Sequence, residues 1–310
     1  MDIGIWISVE HFAAAGPTSV LIGVLIGLKQ AMPNSKLLLN EPGYLNFQIF
    51  GRDRDIRMYP KNTIFGPNPI GMTHVGFNDP NEDEIWLHAK HLTFSSNWVL
   101  HWLQQKFPLI ESDNRKEKTV NIWEAGIDID YFTPGDEPKT QDFFIYYKSQ
   151  KMADIEGIWS FLFHKYYGLK GNLICYHFYN LDMLREAARK SRFCIMLDNE
   201  ETQGLAALEI MACGCPIFCI DKNRYINCNK IMEGGVTSIT CWSPICGLKS
   251  SLEKWKEEFP IFLENLSIYR PVEFAQLYSY KNSAMRLLSI GRDIMNPVLT
   301  TEQSLEQTSQ

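Results

Sequence analysis

Asn199-Glu200-Glu201-Thr202-Gln203-Gly204-Leu205-Ala206-Ala207-Leu208-Glu209-Ile210-Met211-Ala212-Cys213-Gly214-Cys215-Pro216 follows an apolar run, Phe193 to Leu197, that reads as a buried strand. The stretch itself reads as an acidic turn and then a helix, beginning around Gln203 and stopping at Gly214, with Pro216 blocking any continuation. The first amides of such a helix have no partners inside it and lie at its positive end, a terminus suited to phosphate or diphosphate. Glycine at position 204 removes the side chain that would hold such an anion away. Glu209 lies about one and a half turns beyond Gly204, within reach of a ribose hydroxyl, while Glu201 stands ahead of the helix. Two glutamates alone would read as incidental charges on a capped surface helix. The whole string argues otherwise, because an E-x7-E pair coincides with the glycine, the small-residue helix and the Gly-x-Pro stop.

Working outward, short apolar runs alternate with helical patterns on both sides of a polar stretch. Ile3 to Ser8 reads as a strand opening into the loop 9–16, and Pro17 sits where a helix favours its first residue. Val20, Leu21, Val24, Leu25 and Leu28 follow at helical spacing, with Gly23 and Gly27 allowing close packing on a sheet. Strands are predicted at Lys36 to Leu39, Asn62 to Phe65, His91 to Phe94 and Thr119 to Trp123, with a serine-capped helix from Ser96 to Gln105. Gly126 to Asp142, carrying Pro134, Gly135 and Pro138, reads as a linker. Beyond it, strands at Phe143 to Tyr147, Leu173 to His177, Phe193 to Leu197 and Pro216 to Ile220 alternate with helices at Ile155 to Tyr167, Leu181 to Lys190 and Gly204 to Cys213. Strands alternating with helices imply right-handed crossovers and parallel sheets covered on both faces. The expected architecture is α/β, with two Rossmann-like domains, 1–134 and 135–290, facing an interdomain cleft, and a polar tail over 291–310. Ligands of such sheets bind at the carboxyl ends of the strands, which directs attention to the loops 9–16, 148–154 and 198–204.

Composition agrees with a globular protein. The 310 residues are 45% hydrophobic and 21% charged, with a formal net charge of −6, a balance that disfavours duplex nucleic acid and anionic membranes as partners. The longest apolar run, Val20 to Leu28, is short of the ~20 residues of a membrane span, and the acidic start Met1-Asp2 does not resemble a secretory signal. A cytoplasmic protein with no transmembrane segment is expected. The eight cysteines show no paired Cys-x-x-Cys spacing and read as reduced, structural residues. His88 and His91 lack supporting ligands and read as surface or structural. His11, after Glu10 in the first loop, is either a ligand contact or an ordinary polar loop residue. Trp159, Phe161 and Phe163 read as core.

The segment 198–216 resembles the E-x7-E region of retaining GT-B glycosyltransferases of the family-4 type. Two further segments are similar to the same family: Trp123-Glu124-Ala125-Gly126-Ile127-Asp128-Ile129-Asp130-Tyr131-Phe132-Thr133-Pro134, which matches the signature between the domains, and Ala15-Gly16-Pro17-Thr18-Ser19-Val20. Phe65-Gly66-Pro67-Asn68 and Glu201-Thr202-Gln203-Gly204 resemble a compact subgroup found in bacteria and large DNA viruses. The resemblance covers roughly residues 1 to 290. It implies transfer of a sugar from a nucleoside diphosphate-sugar, such as a UDP- or GDP-sugar, to a hydroxyl on a glycan, glycoprotein or glycolipid. Retention of configuration, no cofactor and no obligatory metal are implied as well. Carried over, Glu201 lies near the donor sugar, with His11 as its companion on the catalytic side. Gly16, Thr202, Gln203, Gly204 and Leu205 face the diphosphate and nucleotide, and Glu209 binds the ribose. The family presents Gly-Arg and a nearby lysine after the first strand of the second domain. Here Tyr147-Lys148-Ser149-Gln150-Lys151 offers Lys148 in place of the arginine and Lys151 as second cation, or else a solvated pair of lysines. A sugar-nucleotide epimerase or hydrolase, or an inactive nucleotide-sugar-binding protein, are the alternatives on the same fold.

Overall fold

The computed structural model describes residues 1–7, 15–49, 56–67, 88–106, 118–148, 152–176, 178–198, 201–222, 224–227, 230–233 and 237–295. The chain divides into two compact units, Met1–Gly126 with Tyr280–Gln310, and Ile127–Ser279.

The first unit is built on a parallel sheet. Its strands are β1 (Asp2–Trp6), β2 (Lys36–Leu39), β3 (Leu45–Ile49), β4 (Thr63–Gly66), β5 (His91–Phe94) and β6 (Thr119–Ile122), in the spatial order β2-β1-β3-β4-β5-β6. β3 is a strand the sequence reading did not find. Its alternation of Asn46 and Gln48 with apolar residues suggests a strand with one wet face, yet every position is buried. Asn46 is satisfied internally, its amide donating to Gly43 O at 2.9 Å and to Asn62 Oδ1 at 3.0 Å.

Helix α1 (Ala15–Ala31) follows β1, and α2 (Asn97–Lys106) follows β5. Gly23 and Gly27 do allow a close approach, but the partner is the last helix rather than the sheet. A Cβ on Gly27 would collide with the carbonyl of Tyr280, and one on Gly23 would meet the Tyr280 ring at 2.6 Å. That helix, Tyr280–Met295, is further tied to this unit by Trp123, whose buried indole donates to Ser283 O at 2.9 Å, and by Ser283 Oγ, which donates to Glu124 O at 2.7 Å. The sequence reading ran the second domain to residue 290, whereas the chain returns to the first unit at Tyr280.

The second unit carries β7 (Gln141–Tyr147), α3 (Met152–Lys165), β8 (Gly171–Cys175), α4 (Leu181–Lys190), β9 (Ser191–Asp198), α5 (Leu205–Ala212) and β10 (Ile217–Asp221). After these come the antiparallel pair β11 (Arg224–Asn227) and β12 (Lys230–Glu233), then β13 (Gly247–Ser251), α6 (Trp255–Glu264) and α7 (Pro271–Ala275). The returning helix Tyr280–Met295 is α8. The main sheet is parallel, in the order β8-β7-β9-β10-β13. Side chains alternate across it, as the period of a strand requires. Phe143, Ile145, Phe193, Ile195, Phe218 and Ile220 point to the face covered by α3 and α6, where they meet Ile155, Leu162, Phe259 and Phe262. Phe144, Tyr146, Cys194, Met196 and Cys219 point to the opposite face with α4 and α5. The seven described cysteines are free thiols, and six of them are buried among these apolar residues.

Two local readings need correction. Of the aromatic trio on α3, Trp159 and Phe161 pack on the core, but Phe163 is 64% exposed, because it falls one position off the apolar face. The stretch after Gly126 is not a free linker. Ile127 and Phe132 are buried in the second unit, and Arg189 clamps Thr133 through its carbonyl at 2.7 Å and its hydroxyl at 2.6 Å.

Candidate functional site

In the second unit β7 is the first strand, and its neighbours β8 and β9 are reached by connections that leave in opposite directions. In open parallel sheets, the carboxyl ends of such a strand pair border the ligand crevice. Tyr147 and Leu197 are paired at that edge of β7 and β9, and the next residue of the β7 strand run, Lys148, donates its N–H to Leu197 O at 3.3 Å. The loop leading from β9 into α5 carries Glu201.

These two residues meet. Lys148 Nζ lies 3.0 Å from Glu201 Oε2 and 5.0 Å from the centre of the Tyr176 ring, just past β8. The second carboxylate oxygen, Oε1, accepts from Gln203 N–H at 3.1 Å. Burial by itself pushes the Glu201 carboxyl up. The Lys148 ammonium and the N–H groups of Gly204 and Gln203 outweigh it, and the carboxyl stays below its ordinary range.

Gly204 is the cap of α5 and adopts φ 73°, ψ 24°, a left-handed conformation that side chains avoid. There is also no room for a Cβ, which would sit 2.7 Å from Thr240 Oγ1. At the other end of α5, Gly214 N–H bonds Met211 O at 3.0 Å and Cys215 N–H bonds Ile210 O at 3.3 Å, the paired arrangement that closes a helix before a proline.

The loop 201–204 is braced from a distant part of the chain, a support the sequence reading did not anticipate. Glu201 N–H donates to Thr237 O at 3.0 Å, and Thr240 Oγ1 donates to Gln203 O at 3.0 Å. Thr237 is in turn held by Asp221, whose Oδ2 accepts from its hydroxyl at 2.7 Å, and by Lys249, which donates to Thr237 Oγ1 at 2.7 Å and to Ile239 O at 2.8 Å.

Glu209 is 9% exposed, and burial pushes its carboxyl up to about 8. Among the described residues no side chain or amide is bonded to that carboxyl. Its negative field reaches Tyr179, as does that of Glu201. Tyr179 Oη lies 3.4 Å from Tyr146 Oη, and burial raises its phenol. Tyr179 lies in the connection between β8 and α4. Gln203 is buried with both side-chain amide atoms unpaired.

The structure therefore brings Lys148, Glu201, Gln203 and Gly204 together, with Thr202 half-buried beside them and Leu205 packed on the core. Gly16 lies in the first turn of α1, with open space where a Cβ would be. His11 and Lys151 lie outside the described residues, as does His177. His91 bonds Thr119 on the adjoining strand, its Nδ1 2.8 Å from Oγ1, in keeping with a structural role. Among the described residues no helix is long and apolar enough to cross a membrane.

No protein-family model matches the chain, and no curated protein sequence does. Solved structures do. The lipopolysaccharide outer core galactosyltransferase WaaB, in its apo form, superposes with a TM-score of 0.55 at 10% identity, over 94% of this chain and 99% of that one. A chain of the GtfA/B complex gives 0.51 at 10% identity, over 89% of this chain and 60% of that one. At such identity the likeness is one of fold. Two Rossmann-like units on parallel sheets give the GT-B fold, and this chain has it.

Proposed function

We propose that the protein is a glycosyltransferase that moves a sugar from a nucleoside diphosphate-sugar to a hydroxyl acceptor, with retention and without an obligatory metal. The observation that carries this reading is the meeting of Lys148, Glu201 and the amides of Gln203 and Gly204 at the carboxyl ends of β7 and β9. A lysine and oriented N–H groups suit the negative charge that grows on a departing diphosphate. The sugar transfer named for WaaB supports the same reading by its fold.

In this reading Lys148, with Lys151, and the amides ahead of α5 hold the diphosphate. Glu209 takes the ribose hydroxyls, a role for which an unpaired buried carboxyl is suited because a diol satisfies it. Glu201 faces the transferred sugar, with His11 on the catalytic side and Gly16 at the donor. The chemistry rests on positioning and on stabilising the leaving group rather than on a protein nucleophile. The acceptor is a glycan, glycoprotein or glycolipid hydroxyl.

Incubation with a panel of UDP-, GDP-, TDP- and CMP-sugars, with and without candidate acceptors and in the presence of EDTA, tests the reading. Nucleotide release that requires an acceptor and survives EDTA is expected. Release without acceptor would mean hydrolysis, a changed sugar epimerisation, and binding without turnover an inactive protein. Full loss in EDTA restored by manganese would point to a different catalytic arrangement.

A further inference from the structure

The groups assigned to the diphosphate are already holding an anion. Lys148 Nζ and Gln203 N–H each bind one oxygen of the Glu201 carboxylate, at 3.0 and 3.1 Å, and Gly204 N–H supports it as well. An ammonium and a pair of adjacent amides are what a phosphoryl group would require. We propose that Glu201 is a resident anion, filling the phosphate subsite of Lys148, Gln203 and Gly204 until a donor diphosphate displaces it. The inference rests on the nucleotide-sugar reading above.

A physical need is met by this arrangement. Buried N–H groups left without acceptors are costly, so the loop needs a resident acceptor whenever no donor is bound. The carboxylate supplies one and keeps the loop in its binding shape, helped by the backbone bond from Glu201 N to Thr237 O and by Thr240 on Gln203 O. Two anions do not share the subsite. An incoming phosphate takes over the amides and the ammonium, and the Glu201 side chain turns away by rotation about its own single bonds. A free nucleoside diphosphate gives the displaced carboxylate nothing in return. A donor that still carries its sugar offers hydroxyl groups to accept. Glu201 therefore penalises the product nucleotide more than the intact donor, which favours release after transfer.

A glutamate that met the transferred sugar alone would leave the affinity for free nucleotide unchanged when removed. Calorimetric titration of UDP, GDP and the matching nucleotide sugars into wild type, Glu201→Gln, Glu201→Ala and Lys148→Gln separates the two. Both Glu201 variants should bind the free diphosphate roughly tenfold tighter than wild type, the worth of a released charge-assisted contact, with a smaller gain for the intact donor. Lys148→Gln should bind the diphosphate more weakly. Equal or weaker binding by the Glu201 variants, where wild type binds, overturns the resident anion and leaves the nucleotide reading standing. A gain of equal size for donor and product overturns the release argument. No binding of any nucleotide by any of the four proteins overturns the nucleotide reading, and the inference with it.

Discussion

Glu209 and Glu201 are the same residue type in opposite surroundings: one is buried with no bonded partner among the described residues, the other is tied to an ammonium and two amides. Their carboxyls shift in opposite directions for that reason, Glu209 up to about 8 and Glu201 below its ordinary range. The consequence for stability follows from proton counting. Below about pH 4.5, folded and unfolded chains both hold the Glu209 proton, and the residue adds no pH dependence. Between about 4.5 and 8 the unfolded chain sheds the proton while the folded one keeps it, so stability falls as pH rises, by about 1.4 kcal/mol per unit at most. Above about 8 both are ionised and the loss levels off. Glu209→Gln, neutral throughout, should lack this slope. Thermal melts from pH 5 to 9 should show the variant gaining on wild type until about pH 8; parallel profiles would mean that the carboxyl is solvated or paired after all. A second outcome belongs to the same residue. Glu209→Ala should weaken nucleoside diphosphate binding by roughly tenfold, as the loss of a ribose-binding carboxyl implies, and unchanged calorimetric affinity in a folded variant would remove Glu209 from the site.

At the level of elements, the strand–turn–helix from β9 through α5 was readable because its signals are local. A buried apolar run, a glycine at the cap and a Gly-x-Pro stop lie within a short span of sequence. What braces that turn was not readable, since Thr240 meets Gln203 from 37 positions away and no periodicity announces such a contact. β3 escaped for a different reason: Asn46 and Gln48 interrupt its apolar residues, and nothing local announces that both will be buried. The Gly204–Thr240 contact makes the brace testable. Gly204→Ala suffers twice, from its left-handed backbone and from Thr240 Oγ1 at 2.7 Å. Thr240→Ala removes the second difficulty and one hydrogen bond worth about 1 kcal/mol. Denaturant titration of both single variants and the double should therefore show non-additivity, with Gly204→Ala costing less in the Thr240→Ala background. Additive losses would show that the turn relaxes away from Thr240 without strain.

On the scale of the molecule, the second unit was legible because it repeats strand and helix in alternation from β7 to β10, and its sheet then follows from the crossover rule, whereas in the first unit β2 runs into β3 across residues 40–44 with no helix between them. The allegiance of α8 was not legible. Helical periodicity says that one face of Tyr280–Met295 is apolar, but not which of two units will cover it. The deciding features are small and remote: two glycines on α1 that admit Tyr280, and a carbonyl at Ser283 that accepts from Trp123. Each is uninformative until the two helices are side by side. If α8 is part of the first unit, a chain ending at Ser279 loses more than its last helix. The glycine face of α1 is uncovered, and the Trp123 indole, 1% exposed in the full chain, loses its acceptor. A buried donor without a partner costs about 1–3 kcal/mol, and the lost packing adds to it. The second unit keeps its own two cores, neither of which includes a residue beyond Tyr278. Amide hydrogen exchange of the shortened chain should therefore show protection lost in β1, β3 and α1 and retained in β7, β9 and β10. Uniform loss across both units would mean that the molecule folds as one cooperative body. Unchanged protection in β1 and β3 would mean that the first unit is stable without its returning helix.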